Sequence, residues 1–341
     1  MSNQPPIEVP QGAIRFNTDS QKMEFFAQDR WYEMATHDVV FDGGSGRGLI
    51  FRGDGSGNNI DVINIETAGN ATDFGHDHYD SDSVGAVGDR TRAIVVGGGS
   101  PFTNEMQFFT ISINSAGTDF GDLTRSHRQV GRAINSTRSC MAGGFASPGS
   151  TASEIIDYVT TQSTGNAQDF GDLAASGEQE MASSPTRAVS MGGYGGSPAA
   201  RYTSSQVLTT HTLGNSFIFT DIDRPRNDTF GVSNSVRGVF LGGGQNSPLP
   251  DQTDECNYIT FSTLGEFVEF GQLTNRSQSH SGVSNSTRAV KTNGYNGAPA
   301  NATTAQMDYF SIATGGLAVD FGDATYTGTA SAAISNAHGG L

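Results

Sequence analysis

One phrase of sequence is written six times along this chain, and self-similarity at a period of about fifty residues restricts the fold to a stacked or radially repeated architecture. Each copy runs Asn-Ser-Thr-Arg, an apolar stretch ending in Gly-Gly, a variable segment, a Tyr/Ile-rich stretch, then Thr-Gly-Asn and Asp-Phe-Gly-Asp-Leu. The repeated arginine falls at Arg47, Arg92, Arg138, Arg187, Arg237 and Arg288. The closing aromatic falls at Phe74, Phe120, Phe170, Phe219, Phe270 and Phe321. Gly is abundant, with 45 residues, but it sits at fixed repeat positions and follows no collagen triplet, so it marks turns and close packing.

One copy, Asn135 to Leu173, is enough to read the local structure. Arg138 to Ala142 is short and apolar, and Gly143-Gly144 ends it. Glu154 to Thr160 has the β-branched and aromatic content of a strand. Ser163 to Asn166 supplies turn residues. Ala167 to Phe170 makes a further short strand that Gly171-Asp172 is expected to break, and Gln129 to Ile134 typifies the strand leading into the next copy. Four short strands per copy describe a propeller blade. No window carries a helical period, so helix content near zero is expected.

The ends of the chain complement one another. Ala333 to Gly339 aligns with Gly282 to Arg288, a first strand and its turn, and the sequence stops there. The first copy begins near Arg47 with its second strand and lacks a first. Pairing the last strand into the first copy removes the sheet edges of an open array. The expectation is therefore all-β: a six-bladed β-propeller of four-stranded blades closed by the C-terminal strand over residues 41–341. A small N-terminal β-hairpin module occupies residues 1–40.

The apolar strand ending in Gly-Gly, as in Ile94 to Gly98 and Val239 to Gly243, resembles the kelch-type propeller repeat, without that family's Trp in the repeats. The wording of Ser163 to Leu173 is similar to repeat proteins of tailed bacteriophages, particularly those infecting cyanobacteria. That resemblance covers Arg47 to Leu341. It implies a virion structural protein of the tail fibre or baseplate, made in the host cytoplasm, whose partners are other virion proteins and a host-surface glycan or receptor. It also implies a homo-oligomer, with a trimer as the expectation.

Residues 1–40 do not repeat. Gly12 to Asn17, Met23 to Phe26 and Trp31 to Met34 read as three strands after a Pro-rich arm. The segment resembles a hairpin module of phage fibre and tail proteins, which implies anchoring or oligomerisation. So short a segment cannot bury enough apolar surface alone. Ile14, Phe16, Phe25, Phe26, Trp31 and Tyr32 are expected to pack on the propeller, on sister chains or on another protein.

Variation marks the candidate binding face. Second-to-third and fourth-to-first connections share one end of a propeller, and here the former are unequal: Ser100 to Asn104, Phe145 to Ser153, Tyr194 to Ser204, Gln245 to Asp254 and Tyr295 to Thr304. Variable loops on a constant scaffold carry recognition. Phe102, Phe145, Tyr194, Tyr202, Gln245, Asn246, Tyr295 and Asn296 suit stacking on sugar rings and adaptable hydrogen bonding. Solvation, or packing on neighbours in an assembly, is the plain alternative for these loops.

The remaining chemistry is sparse. His76, His78 and Asp80 are metal-ligand types in alternation, though they occupy an ordinary repeat turn, and no metal or other cofactor is expected. The Asp-Phe-Gly elements at Asp119, Asp169 and Asp320 are turn formers, not kinase elements. The repeated Arg and Asp residues are expected to form structural ion pairs, each worth ~0–1 kcal/mol when exposed. Cys140 and Cys256 share no CxxC and read as small buried hydrophobes. The formal charge of −16 argues against a nucleic-acid backbone or an anionic membrane surface as partner. No apolar run approaches the ~20 residues of a membrane span, and no signal peptide opens the chain. With no linear catalytic motif, a non-enzymatic role is expected; the alternatives are a phage polysaccharide depolymerase on the same scaffold and a stand-alone bacterial lectin-like propeller.

Overall fold

A computed structural model describes residues 9–17, 22–33, 46–148, 151–195, 200–246, 250–329 and 332–341. These residues are all-β, with no helix among them. The chain divides into two compact units, Met1–Gly44 and Ser45–Leu341. The expected boundary at residues 40 and 41 lies outside the described residues, as do the start of the N-terminal arm and Met34.

Within the first unit, Ile14–Asn17, Lys22–Ala27 and Arg30–Glu33 form a three-stranded antiparallel meander. Period-two alternation puts Ile14, Phe16, Met23, Phe25 and Tyr32 on one face, with Ile14 opposite Phe25 and Phe25 opposite Tyr32. Phe25 and Tyr32 stack at 5.5 Å, and Phe26 meets Trp31 edge-on. On the other face Glu24 accepts from Arg15 at 2.7 Å and Asn17 at 2.8 Å, which lowers its pKa, and the Arg15 guanidinium lies 4.1 Å from the Trp31 ring. Ile14 and Phe16 remain 60% and 56% exposed, so this meander buries little of its apolar face.

Among the described residues of the second unit, six sheets share one strand order, first to fourth, all antiparallel. Sheet two (Gly85–Gly88, Arg92–Val96, Glu105–Thr110, Thr118–Asp122) sets the pattern. Sheet three begins at Gly131, sheet four at Met181, sheet five at Phe230 and sheet six at Ser281. Sheet one takes its last three strands from Arg47–Phe51, Asn59–Asn64 and Thr72–Asp77, and its first from Ala332–Ser335. Ala332 pairs with Phe51 and Ser335 with Gly48. Asn336 Oδ1 accepts from the Arg47 amide at 2.8 Å, repeating what Asn135 does for Arg138 and Asn285 for Arg288 within continuous chain. First strands of consecutive sheets pack together, and Ala332–Ser335 packs against those of both sheet six and sheet two.

The core follows from the strand pattern. Second strands are buried on both faces, as in Leu49, Ile50 and Phe51 or Ile94, Val95 and Val96, which is why they read as short continuous apolar runs. The repeat aromatics Phe74, Phe120 and Phe170 are buried on the fourth strands. Cys140 and Cys256 are buried free thiols, and burial raises both pKa values to about 12.

Two readings need correction. Gly171-Asp172 does not end its strand: the fourth strand runs Gln168–Asp172, with a bulge where Gly171 faces Ile156. The repeat arginines do not pair with the repeat aspartates. Each donates Nη1 to a carbonyl of the next sheet: Arg47 to Ser112, Arg92 to Thr161, Arg138 to His211, Arg187 to Phe261, Arg237 to Ile312 and Arg288 to Ile65. The aspartates instead accept from the glycine amide two residues on, as Asp119 does from Gly121 at 3.0 Å. A carbonyl at a fixed turn offers the guanidinium a partner that side-chain freedom cannot displace, whereas an exposed carboxylate gains little.

Thr-Gly-Asn also does more than turn the chain. Gly165 donates to the Phe120 carbonyl at 2.7 Å and Ala167 to the Asp122 carbonyl at 2.8 Å, so the turn of sheet three hydrogen-bonds the outer strand of sheet two. Asn166 Oδ1 accepts from the Asp122 amide at 3.1 Å. A Cβ on Gly121 would lie 2.5 Å from the Gly165 backbone, so a glycine on the outer strand permits the approach. The same clip joins sheet three to four, five to six and six to one, through Gly171 with Gly214, Gly271 with Gly316 and Gly322 with Gly69.

Candidate functional site

The second-to-third and fourth-to-first connections lie at one end of these sheets because they pair with each other. Arg128 faces Phe145, Glu178 faces Tyr194, Asn227 faces Gly244 and Gln278 faces Tyr295. This pairing places the sequence-predicted loop residues. Phe145, Gln245 and Asn296 are buried, Asn246 is exposed, and Phe102, Tyr194, Tyr202 and Tyr295 are half-buried. Phe145 meets Tyr194 at 6.2 Å, and the Arg128 guanidinium lies 5.7 Å from the Phe102 ring and 5.5 Å from that of Phe145. Phe102, Phe145 and Tyr194 thus form one aromatic row around Arg128. Asn246 joins a different group, accepting from Arg201 Nη1 at 3.0 Å. Parts of these loops, residues 149–150, 196–199 and 247–249, lie outside the described residues.

Where first strands meet, the loop end holds a small cavity of ≈ 50 Å³ lined by Glu178, Glu180, Asp228 and His280. Ser83, Gln129, Asp228 and Ser279 fill one repeat position beside it, each with φ near +50°. Burial, with Asp228 next to it, raises the Glu178 pKa well above the usual carboxylate range. Burial lifts Glu180 to about 7 against the opposing pull of Arg132, and Glu180 Oε2 has no hydrogen-bond partner. Burial lowers His280 to about 3, with the Lys291 ammonium adding to the effect. Arg132 lies outside this cavity's lining: it stacks 3.9 Å from the Phe230 ring centroid and donates to the Gly231 and Ala333 carbonyls. Sheets three, five and one are thereby tied through a single side chain.

The larger opening lies between sheets four and five, and sequence reasoning missed it. There the clip is absent. Thr220 stands where Gly121, Gly171, Gly271 and Gly322 stand elsewhere, and Glu266 replaces the Asn of Thr-Gly-Asn. The Phe219 and Asp221 carbonyls receive no bond from Gly265 or Phe267. The gap is a groove of ≈ 540 Å³, within the ~300–1,000 Å³ range of ligand clefts. Its floor is Met191, Ile222 and Phe267. Glu255 accepts from Arg224 at 3.2 Å and Arg226 at 2.9 Å, and Arg226 also donates to Asn257 at 2.9 Å. Arg226 is 2% exposed, its Nε has no acceptor, and burial lowers its pKa while Glu255 opposes that shift. Glu266 and Glu269 stand exposed on the wall, with Asp221 opposite. The signal was present as departures from the repeat, but their meaning depends on which sheets touch.

Sheet one to sheet two is also unclipped, with Ser115 opposite Gly75. Tyr79 fills that junction, donating to the Gly97 and Glu105 carbonyls at 2.7 and 3.2 Å. Of the metal-type residues beside it, His78 is buried with Nε2 2.6 Å from the Arg52 carbonyl, and burial lowers its pKa. His76 sits against the Phe74 ring, and Asp80 is exposed. Among the described residues no three metal-ligating side chains stand together. No helix among them is long and apolar enough to cross a membrane.

No protein-family profile matches this chain, and no curated protein matches it.

Proposed function

We propose that residues 45–341 are a six-bladed β-propeller completed by the C-terminal strand. On this reading the protein is a non-enzymatic component of a phage tail, fibre or baseplate that contacts a host-surface glycan through its loop end. The observation that carries this is the division of labour between the two ends of the sheets. Arg-to-carbonyl bonds and Asn caps repeat at one end, while dissimilar loops holding Phe102, Tyr194, Tyr202 and Tyr295 gather at the other. The Asn336 contact with Arg47 and the shared strand order of six sheets support the closed form. The virion assignment rests on the likeness of the repeat wording to tailed-phage proteins. The exposed apolar face of Ile14, Phe16 and Phe25 is the surface proposed to anchor it, on sister chains of a trimer or on another virion protein.

The polysaccharide-cleaving alternative has one observation in its favour, the grouping of Glu178, Glu180 and Asp228. Against it, their ≈ 50 Å³ cavity is far below the ~300 Å³ of the smallest usual ligand clefts. Glycan-array binding paired with a reducing-end assay tests the two together. Retention of a glycan without release of reducing ends is expected, and release would sink the non-catalytic reading. Class averages of the isolated protein with a number of sectors other than six would overturn the architecture. Loss of particle incorporation on deleting residues 1–34 is expected, and unchanged incorporation removes the anchoring role.

A further inference from the structure

We infer that the groove between sheets four and five is a docking site for an extended peptide segment carrying Lys or Arg. The segment would add as a strand along the free edge of Phe217–Asp221.

The argument begins with the backbone. At four junctions the carbonyls of the repeat Phe and Asp on the outer strand are bonded by the next sheet, as Phe170 is by Gly214 at 2.9 Å and Asp172 by Ser216 at 2.9 Å. In sheet four the equivalent carbonyls, on Phe219 and Asp221, have no such donor, and Phe217–Asp221 is the last strand of its sheet. An unpaired strand edge is a template for another strand. Most exposed edges are blunted by charge or covered; this one opens at its Asp221 end into the groove.

Thr220 is incompatible with the clip. A side chain at this position prevents the backbone-to-backbone approach that Gly121 or Gly171 allows, so sheet five cannot supply the strand itself. Charge then selects the occupant. Asp221, Glu266 and Glu269 line the groove, while Asp223 and Glu255 already neutralise part of the charge of Arg224 and Arg226. Glu266 and Glu269 have no bonded cation among the described residues. A strand with basic side chains facing Glu266 and Glu269, and a small apolar one over Phe267 and Ile222, matches both walls. The Arg226 Nε, buried and without an acceptor, offers a donor to a carbonyl of the incoming chain.

The test is selection from a random dodecapeptide library displayed on messenger RNA, panned against the full-length protein. Recovered peptides are expected to be rich in Lys or Arg. They should bind at least about tenfold more weakly to Glu266→Lys/Glu269→Lys, which changes only exposed side chains. They should also lose binding to Thr220→Gly/Glu266→Asn, which restores the clip residues, and slow amide exchange over residues 217–221 of the wild type. Recovery of no peptide, or of acidic peptides, overturns the inference, as does equal affinity for the charge-reversed variant. A saccharide retained by the wild type and lost by the clip-restored variant, with no peptide retained, would assign the groove to a sugar instead.

Discussion

The junction between sheets three and four and the junction between sheets four and five are built from the same repeat, yet one is shut and the other open. In the first, Gly171 and Gly214 meet backbone to backbone, Gly214 and Ser216 bond the outer strand, and Asn215 accepts from the Asp172 amide at 3.0 Å. In the second, Thr220 and Glu266 remove the contact and the cap. At the inner end of that second junction Glu178 and Asp228 approach one another, and burial together with Asp228 raises the Glu178 pKa. Three departures from the repeated phrase, Thr220, Glu266 and Phe267, therefore mark the change from a sealed seam to a groove of ≈ 540 Å³. A repeat array localises such change, because each sheet touches only its neighbours.

The largest expected effect comes from forcing the shut junction open. Gly171→Val should cost about 3 kcal/mol by urea denaturation, from overpacking against Gly214 and strain at positive φ. Thr220→Val, at the equivalent position, should stay within about 0.5 kcal/mol. Equal losses would erase the distinction between the junctions. Next, the amides of Gly265 and Phe267 should exchange with deuterium about a hundredfold faster than those of Gly165 and Ala167, which are bonded across the clip.

Thr220→Gly/Glu266→Asn should raise stability by about 1 kcal/mol or less, since the regained hydrogen bonds are partly offset by the entropy of a new glycine. No change in stability or in the exchange of Gly265 would mean that these two residues do not set the gap. The smallest effect is electrostatic. Glu180 has its folded pKa raised to about 7 from 4.5, so its protonated form favours the folded state below about pH 4.5 and that contribution is lost as pH rises to about 7. Thermal melts of Glu180→Gln should match the wild type at low pH and exceed it progressively through that window. A constant difference at all pH values would rule the carboxyl out as the cause. The lowered pKa values of His127 and His338, about 4 each, act in the opposite sense in both proteins and cancel in the comparison.

Much of the scaffold was legible in the sequence. The period gave the number of sheets, the Gly-Gly ends gave the second strands, and the alignment of Ala333 with Gly282 located the strand that pairs with Arg47–Phe51. What Thr-Gly-Asn and the repeat arginines touch was not legible, because a repeated residue shows that a partner exists without saying which sheet supplies it. The arginine could therefore be mistaken for the partner of a nearby aspartate, although its acceptor lies about seventy residues on, in the next sheet. The groove was hidden for the same reason. Thr220 looks conservative inside one copy and becomes informative only opposite Gly265. The packing of the loop residues Phe102 and Phe145 around Arg128 was hidden as well, because it depends on contacts between copies.

The pairing of Ala332–Ser335 with Arg47–Phe51 sets an order of events during synthesis. Sheet one waits with an unsatisfied edge until Ala332–Ser335, five sheets further along the chain, has been synthesised. A product broken off before Ala332 would leave the Leu49–Phe51 edge without its partner and open to proteases, so survival of sheet one reports that synthesis has passed the sixth sheet.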